Sequence, residues 1–159
     1  MNIRIGFGYD VHRLEEGKDF WLGGILIPHY KGALGHSDAD TLIHAICDAL
    51  LGAAGFRDIG THFPDTDPEF KGIDSKILLK KVNALLNKEG FLIGNIDCTI
   101  TLQRPKISAF IPEMIKVLSG VLEIRETDLS IKAKTTETLG FEGREEGLSA
   151  YAVALVQKS

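Results

Sequence analysis

Cysteine is scarce: Cys47 and Cys98 are the two in 159 residues, and they are far apart. Neither zinc-ligand nor redox-dithiol spacing can be drawn from them, which excludes a disulfide framework and a thiolate metal site. Each lies in an apolar, regular stretch, so both are expected to be small buried hydrophobes with free thiols. No proline-rich or low-complexity tract, linker or internal repeat interrupts the chain. No apolar run approaches the roughly 20 residues that cross a bilayer. A basic stripe is also missing, since 18 scattered Lys and Arg face 22 Asp and Glu for a net charge of −4. A nucleic-acid partner requires a concentrated positive field, so neither nucleic acid nor membrane is expected as a partner. A phosphorylated small molecule would need local cations, bound metal ions included. Met1-Asn2-Ile3-Arg4-Ile5-Gly6 enters strand-like alternation at once, which leaves no leader peptide and points to the cytoplasm.

What is present suffices for one core. With 44% apolar and 25% charged residues, positions 1–159 read as a single domain. Ile3, Ile5, Phe7 and Tyr9 share one face of a half-buried strand. Phe20 to Pro28, around Gly23-Gly24, reads as a short hairpin. Ser37 and Asp40 form a capping box before a helix striped with Leu42, Ile43, Ile46, Ala49, Leu50 and Ala53. Gly55 to Gly72 is a long Asp-, Gly- and Pro-bearing loop, a length that suggests function. Asp74 caps a second helix that stops near Gly90, and 92–103 alternates as a strand. A third helix starts near Pro112, Leu129 to Ala133 is a strand, and a loop at 138–147 leads to a last strand near 148–157. The expected class is α/β (α+β): a mixed sheet with helices packed on one face, in the order β-α-α-β-α-β-β.

Chemistry concentrates near the N-terminus. Two residues apart on a strand, Asp10 and His12 project together, away from Ile3, Ile5 and Phe7, on the face where Gly6 and Gly8 leave the backbone open to approach. His44 sits on the first helix, nearly opposite its apolar stripe, with Asp40 and Asp48 one turn to either side. One carboxylate and two imidazoles suit a zinc ion with an open fourth position, and equally a non-haem iron(II) triad. Asp48 is expected to orient His44 through its second ring nitrogen. Gly35-His36-Ser37-Asp38 is read as the start of that helix, where unpaired N–H groups favour phosphate.

Six blocks in this order, Asp10-Val11-His12, His36-Ser37-Asp38-Ala39-Asp40 with His44, Asp58-Ile59-Gly60, Phe63-Pro64-Asp65-Thr66-Asp67-Pro68, Gln103-Arg104-Pro105-Lys106 and Lys134-Thr135-Thr136-Glu137-Thr138-Leu139-Gly140-Phe141, resemble the 2-C-methyl-D-erythritol 2,4-cyclodiphosphate synthase family. The resemblance covers nearly the whole chain. It implies a cyclising lyase of non-mevalonate isoprenoid biosynthesis. Its substrate is 4-diphosphocytidyl-2-C-methyl-D-erythritol 2-phosphate, whose own 2-phosphate attacks the β-phosphorus and expels CMP. No protein nucleophile is required, and the demands are positioning and charge neutralisation.

The resemblance assigns roles as well. Asp10, His12 and His44 match the ligands of zinc or another divalent ion; Glu137 matches the protein ligand of a second ion, Mg2+ or Mn2+, that bridges the substrate phosphates. His36 and Thr135 match the groups that polarise the phosphates. Ser37, Asp58, Ile59, Gly60, Phe63, Pro64, Asp65, Thr66 and Asp67, together with Lys134 and Thr136, match substrate contacts. Leu102, Gln103, Arg104, Pro105 and Lys106 match the nucleotide stretch. The family's assembly implies a homotrimer with active sites between subunits, sheets turned inward, and a central cavity for an isoprenoid diphosphate near Phe141 and Arg144. Two positions depart from the family pattern. Arg144-Glu145-Glu146-Gly147 stands where Arg-Gly-Glu-Gly is usual, which adds charge near an anionic head group, and Tyr151 replaces a residue that is often acidic or small. The alternatives are an iron(II) oxygenase on the same three ligands and an isoprenoid-diphosphate-binding trimer without catalysis.

Overall fold

A computed structural model describes residues 2–159. The chain opens with β1 (Ile3–Glu16), forms a separate hairpin from β2 (Phe20–Leu22) and β3 (Ile25–Ile27), and returns to the sheet as β4 (Lys31–Leu34). Helix α1 (Thr41–Ala54), the one-turn α2 (Ile59–His62) and α3 (Ser75–Lys88) follow. Then come β5 (Phe91–Thr101), α4 (Ile111–Leu122), β6 (Leu129–Lys134), the one-turn α5 (Gly140–Gly143) and β7 (Gly147–Lys158). The five-stranded sheet has the order β4-β1-β7-β5-β6. Its pairs are antiparallel except β5 with β6, whose parallel register requires the crossover that α4 supplies.

The mixed α+β architecture is the expected one, with additions to its order. Strand β4 is one addition: Lys31-Gly32-Ala33-Leu34 carries little β-propensity, and its place comes from pairing with the far end of β1, Arg13 opposite Leu34. The loop at 55–72 contains α2 and a 3-10 turn at Pro68–Phe70, and the loop at 138–147 contains α5. Among the described residues, no helix is long and apolar enough to cross a membrane. Both cysteines are buried and unpaired, and burial pushes the Cys98 thiol up to about 12.

Helix α1 is the core element. All of its residues are buried except His44, Asp48 and Gly52, which recur every fourth residue and form one stripe. The apolar surface is thus wider than the stripe read from sequence, as befits a helix enclosed on nearly every side. Asp40 alone caps it: its carboxylate accepts from Ile43 N at 3.1 Å and also from Gly23 N at 3.0 Å and Gly24 N at 2.7 Å. This corrects the expected Ser37 cap and the helix start at Gly35 to Asp38, because the helix begins only at Thr41. One buried carboxylate therefore ties the β2–β3 hairpin to the start of α1. Gly55 ends the helix in the left-handed region, φ 81°.

The strand alternation is real, but its inside and outside are reversed from the expected half-buried reading. Ile3, Ile5, Phe7, Tyr9 and Val11 are exposed, while Gly6 and Gly8 are covered by α1. A Cβ on Gly6 would lie 1.8 Å from the Ala49 carbonyl oxygen, and one on Gly8 1.8 Å from that of Ala45. The helix backbone thus rests on the strand backbone, with Ala45, Ala49 and Ala53 at the contact. What approaches the glycines is the protein's own helix.

Candidate active site and metal centre

That close approach builds the site. Two strand residues advance about 6.7 Å and four helical residues about 6 Å, so contacts at Gly6–Ala49 and Gly8–Ala45 continue in step. The next pair along brings Asp10 and His12 to the first turn of α1, where His44 waits. Asp10 Oδ2 lies 3.0 Å from His12 Nε2 and 3.0 Å from His44 Nδ1, and the two ring nitrogens are 3.3 Å apart. One ligand atom from each residue can be chosen with all three within 4.8 Å of one another.

The donor chemistry fits a cation. His12 Nδ1 lies 3.1 Å from the Leu34 carbonyl oxygen, which can only accept, so Nδ1 carries a proton there and Nε2 is the nitrogen left to face Asp10 and a cation. His44 Nε2 has its own partners, Ser75 Oγ at 3.0 Å and Ser37 Oγ at 3.1 Å, and its Nδ1 faces the other two donors. Burial raises the pKa of Asp10, but hydrogen bonds and charge from His12 and His44 outweigh it and hold the carboxyl at about 2. Burial lowers the His44 pKa, and the hydrogen bond and charge of Asp10 raise it by more. An anionic carboxylate between two imidazoles is what a divalent ion of borderline softness requires.

Asp48 does not orient His44. Its Oδ1 accepts from Ile59 N at 2.7 Å, so it anchors α2 rather than the ring. The reason is directional: one turn along a helix brings residues close, but the His44 ring points its Nε2 toward the start of α3. Burial raises the Asp48 pKa, against the donation from Ile59.

A cleft of about 380 Å³ opens beside the three donors, with His36, Ser37, Ile59, Gly60, Phe63, Pro64 and Asp65 on its wall. His36, Ser37 and the loop at 59–65 are therefore brought together with His12 and His44. Asp58 and Asp67 are used locally, capping α2 through Thr61 N at 2.9 Å and the 3-10 turn through Glu69 N at 2.9 Å. Thr66 is exposed beside them.

The remaining residues collect elsewhere on this chain. Leu102, Pro105 and Lys106 share a second pocket with Lys134 and Thr135, at the carboxyl ends of the parallel pair β5 and β6. Leu102 N donates to the Lys134 carbonyl at 2.9 Å, and Thr138 N to Gln103 Oε1 at 3.2 Å, so the two motif blocks form one edge. Gln103 and Arg104 line an adjoining hollow with His29, which carried no motif in the sequence. Thr136 donates to the Leu139 carbonyl, and exposed Glu137 has φ 52°. Phe141 lines a third pocket with Val11, His12 and Arg13, and Arg144 pairs with Glu146 at 2.8 Å. Glu145 sits at φ 59°, a conformation glycine adopts freely, and leans toward Arg104 at 3.8 Å.

Comparison with known proteins agrees with this geometry. Residues 3–157 match the model of the YgbB family. The 2-C-methyl-D-erythritol 2,4-cyclodiphosphate synthase of Bacteroides fragilis is 63% identical over 99% of both chains, and that of Porphyromonas gingivalis is 61% identical over 97% of this chain and 95% of its own. Among solved structures, the bifunctional IspDF of Campylobacter jejuni superposes with a TM-score of 0.95 at 39% identity, over 99% of this chain and 42% of that longer one. A CDP complex of IspF from Plasmodium falciparum gives 0.87 at 39% identity, over 100% and 99%.

Proposed function

The chain belongs to the YgbB family, whose full-length relatives are 2-C-methyl-D-erythritol 2,4-cyclodiphosphate synthases, and from that premise we propose how its residues share the work. The reaction is the conversion of 4-diphosphocytidyl-2-C-methyl-D-erythritol 2-phosphate to 2-C-methyl-D-erythritol 2,4-cyclodiphosphate with release of CMP, a cyclising lyase step. Asp10, His12 and His44 hold one divalent ion, zinc by the match of donor set, and their convergence within hydrogen-bonding distance carries the reading. When bound, that ion supplies positive charge against the substrate's phosphates.

The chain's own groups do the rest. His36 and Ser37, on the cleft wall beside the donors, orient and polarise a phosphate, while Ile59, Gly60 and Phe63 to Asp65 enclose the erythritol part. Thr135 and Lys134, with Leu102 to Lys106, hold the nucleotide and its phosphates at the β5–β6 edge; Glu137 would hold a second ion, Mg2+ or Mn2+, that would supply further positive charge against those phosphates. Both pockets complete one site when edge and cleft come from neighbouring subunits of a homotrimer. Support comes from the uncovered sheet face, where Ile5 is 69% and Phe7 63% exposed, since an apolar sheet face needs a cover. An isoprenoid diphosphate is the ligand for the axial cavity beside Phe141 and Arg144, where Glu145, in the place of the family's usual glycine, adds negative charge against an anionic head. The enzyme works in the cytoplasm on this reading.

Purified enzyme with zinc and magnesium, given the diphosphocytidyl substrate, is expected to release CMP and the cyclic diphosphate in equal amounts. No CMP would reduce the protein to the binding-only trimer. Iron with oxygen consumption would restore the oxygenase, which neither the family nor this helix-backed sheet favours.

A further inference from the structure

The metal reading leaves unassigned what keeps the His44 Nδ1 lone pair turned toward Asp10 and His12. We propose that Ser75 and Asp38 are positioning residues: a hydrogen-bond relay from His44 Nε2 through the Ser75 hydroxyl to the Asp38 carboxylate holds the ring in the tautomer whose Nδ1 is bare. The proposal rests on the metal reading above and extends it to two residues that line no motif role.

Hydrogen-bond directions settle the relay one proton at a time. Asp38 Oδ2 accepts Ser75 N–H at 2.9 Å and Oδ1 accepts Asp40 N–H at 3.1 Å, so both oxygens already act as acceptors. The Ser75 hydroxyl also donates to Asp38 Oδ1. A hydroxyl has one proton; once it is given to Asp38, the Ser75 oxygen can only accept from His44 Nε2, 3.0 Å away. Ser37 Oγ, 3.1 Å from the same nitrogen, can give its own proton to the Ser75 oxygen 3.5 Å away, and its lone pairs then receive Ala39 N–H at 3.3 Å and offer Nε2 a second acceptor. Nε2 therefore carries a proton, and Nδ1, 3.0 Å from Asp10 Oδ2, is the nitrogen whose own proton a cation would displace, which leaves the lone pair on Nδ1. The Leu34 carbonyl does the same for His12 from the opposite ring nitrogen.

Placement makes the relay more than a local cap. Ser75 is fully buried at the first position of α3, where the chain returns from the loop that walls the cleft. Gly72 N donates to the His36 carbonyl at 2.8 Å and Asp38 N to that of Ile73 at 3.1 Å, zipping this return onto 36–38. The contacts that aim the metal ligand are thus the contacts that seat the base of the substrate loop.

The test uses full-length protein, zinc titrated against a chromophoric chelator, and 15N-histidine NMR of the zinc-loaded protein, read as the solvent exchange of the His44 Nε2–H. Ser75→Ala is expected to lower zinc affinity roughly 10- to 100-fold, as loss of an outer-shell partner does, and to speed exchange of that proton. Asp38→Asn presents an amide donor to Ser75 and turns its hydroxyl proton toward Nε2, so the Nε2–H loses its acceptor and affinity should fall at least as far. This variant carries the test alone if Ser75→Ala does not fold. Asp48→Ala, whose carboxylate serves Ile59, should leave zinc affinity unchanged. Unaltered zinc affinity in Asp38→Asn, or a fall without any change in Nε2–H exchange, overturns the relay. His44→Ala binding zinc as tightly as the parent overturns the metal reading instead.

Discussion

The two faces of β1 are made from alternate residues of one segment, yet they are built for different neighbours. The face with Gly6, Gly8, Asp10 and His12 is pressed against α1, and its small residues at one end let its polar residues at the other meet His44. The opposite face, Ile3 to Val11, is more apolar and is left open. Hydrophobicity alone would have put the second face inside. The lesson is that backbone proximity, enabled by missing side chains, can outweigh apolar character in deciding what a sheet packs on.

The comparison breaks most violently at Gly8. Its replacement by alanine places a methyl against the α1 backbone, which no rotamer can relieve, and should cost about 3 kcal/mol or more. Chemical denaturation measures it, and a loss below about 1 kcal/mol would show that the strand–helix contact can yield. Asp40→Ala comes next, since it orphans the amides of Gly23, Gly24 and Ile43 on the buried side. A drop of roughly 2–3 kcal/mol is expected, with Asp40→Asn recovering part of it.

The third effect depends on pH. In metal-free protein Asp10 is held at about 2 against an ordinary 3.8. A depressed carboxyl stabilises the fold in full above its unfolded value, and that contribution disappears as pH falls from there through the folded value. The expected loss is about 2 kcal/mol between roughly pH 4 and pH 2, and Asp10→Asn should flatten that slope. The smallest effect on folding belongs to the open face. Ile5→Asp should change the stability of the isolated subunit by about 0.5 kcal/mol at most while dispersing the proposed trimer in light scattering. A large folding penalty would mean this face is covered within its own chain.

Much of the site was legible because its residues carry unusual chemistry at fixed spacing. Asp10 and His12 two apart on a strand, with His44 on the following helix, name three donors, and those three converge. Asp74 was readable as a cap because a cap is a local event. Ser37 and Asp48 misled for the same reason from the other side. Local spacing supports a capping box at Ser37 and an i+4 partner for His44, but the amides and ring nitrogens found partners from distant segments: the β2–β3 hairpin for Asp40, α2 for Asp48, the start of α3 for His44. Asp38 stood inside a motif block without a role of its own and Ser75 outside every block, since nothing in the spacing of residues 37 apart says that they touch.

Periodicity and residue chemistry decided on their own which side chains share a face, where the long helices and strands form, and which three groups can take a cation. Only the folded chain decided which face of β1 is covered, which carboxylate caps α1, and which hydroxyl meets His44. The division has one physical source. Alternation and capping are set within a few residues of backbone, whereas the choice of neighbour depends on how closely two backbones can approach, and that is known only once both are in place.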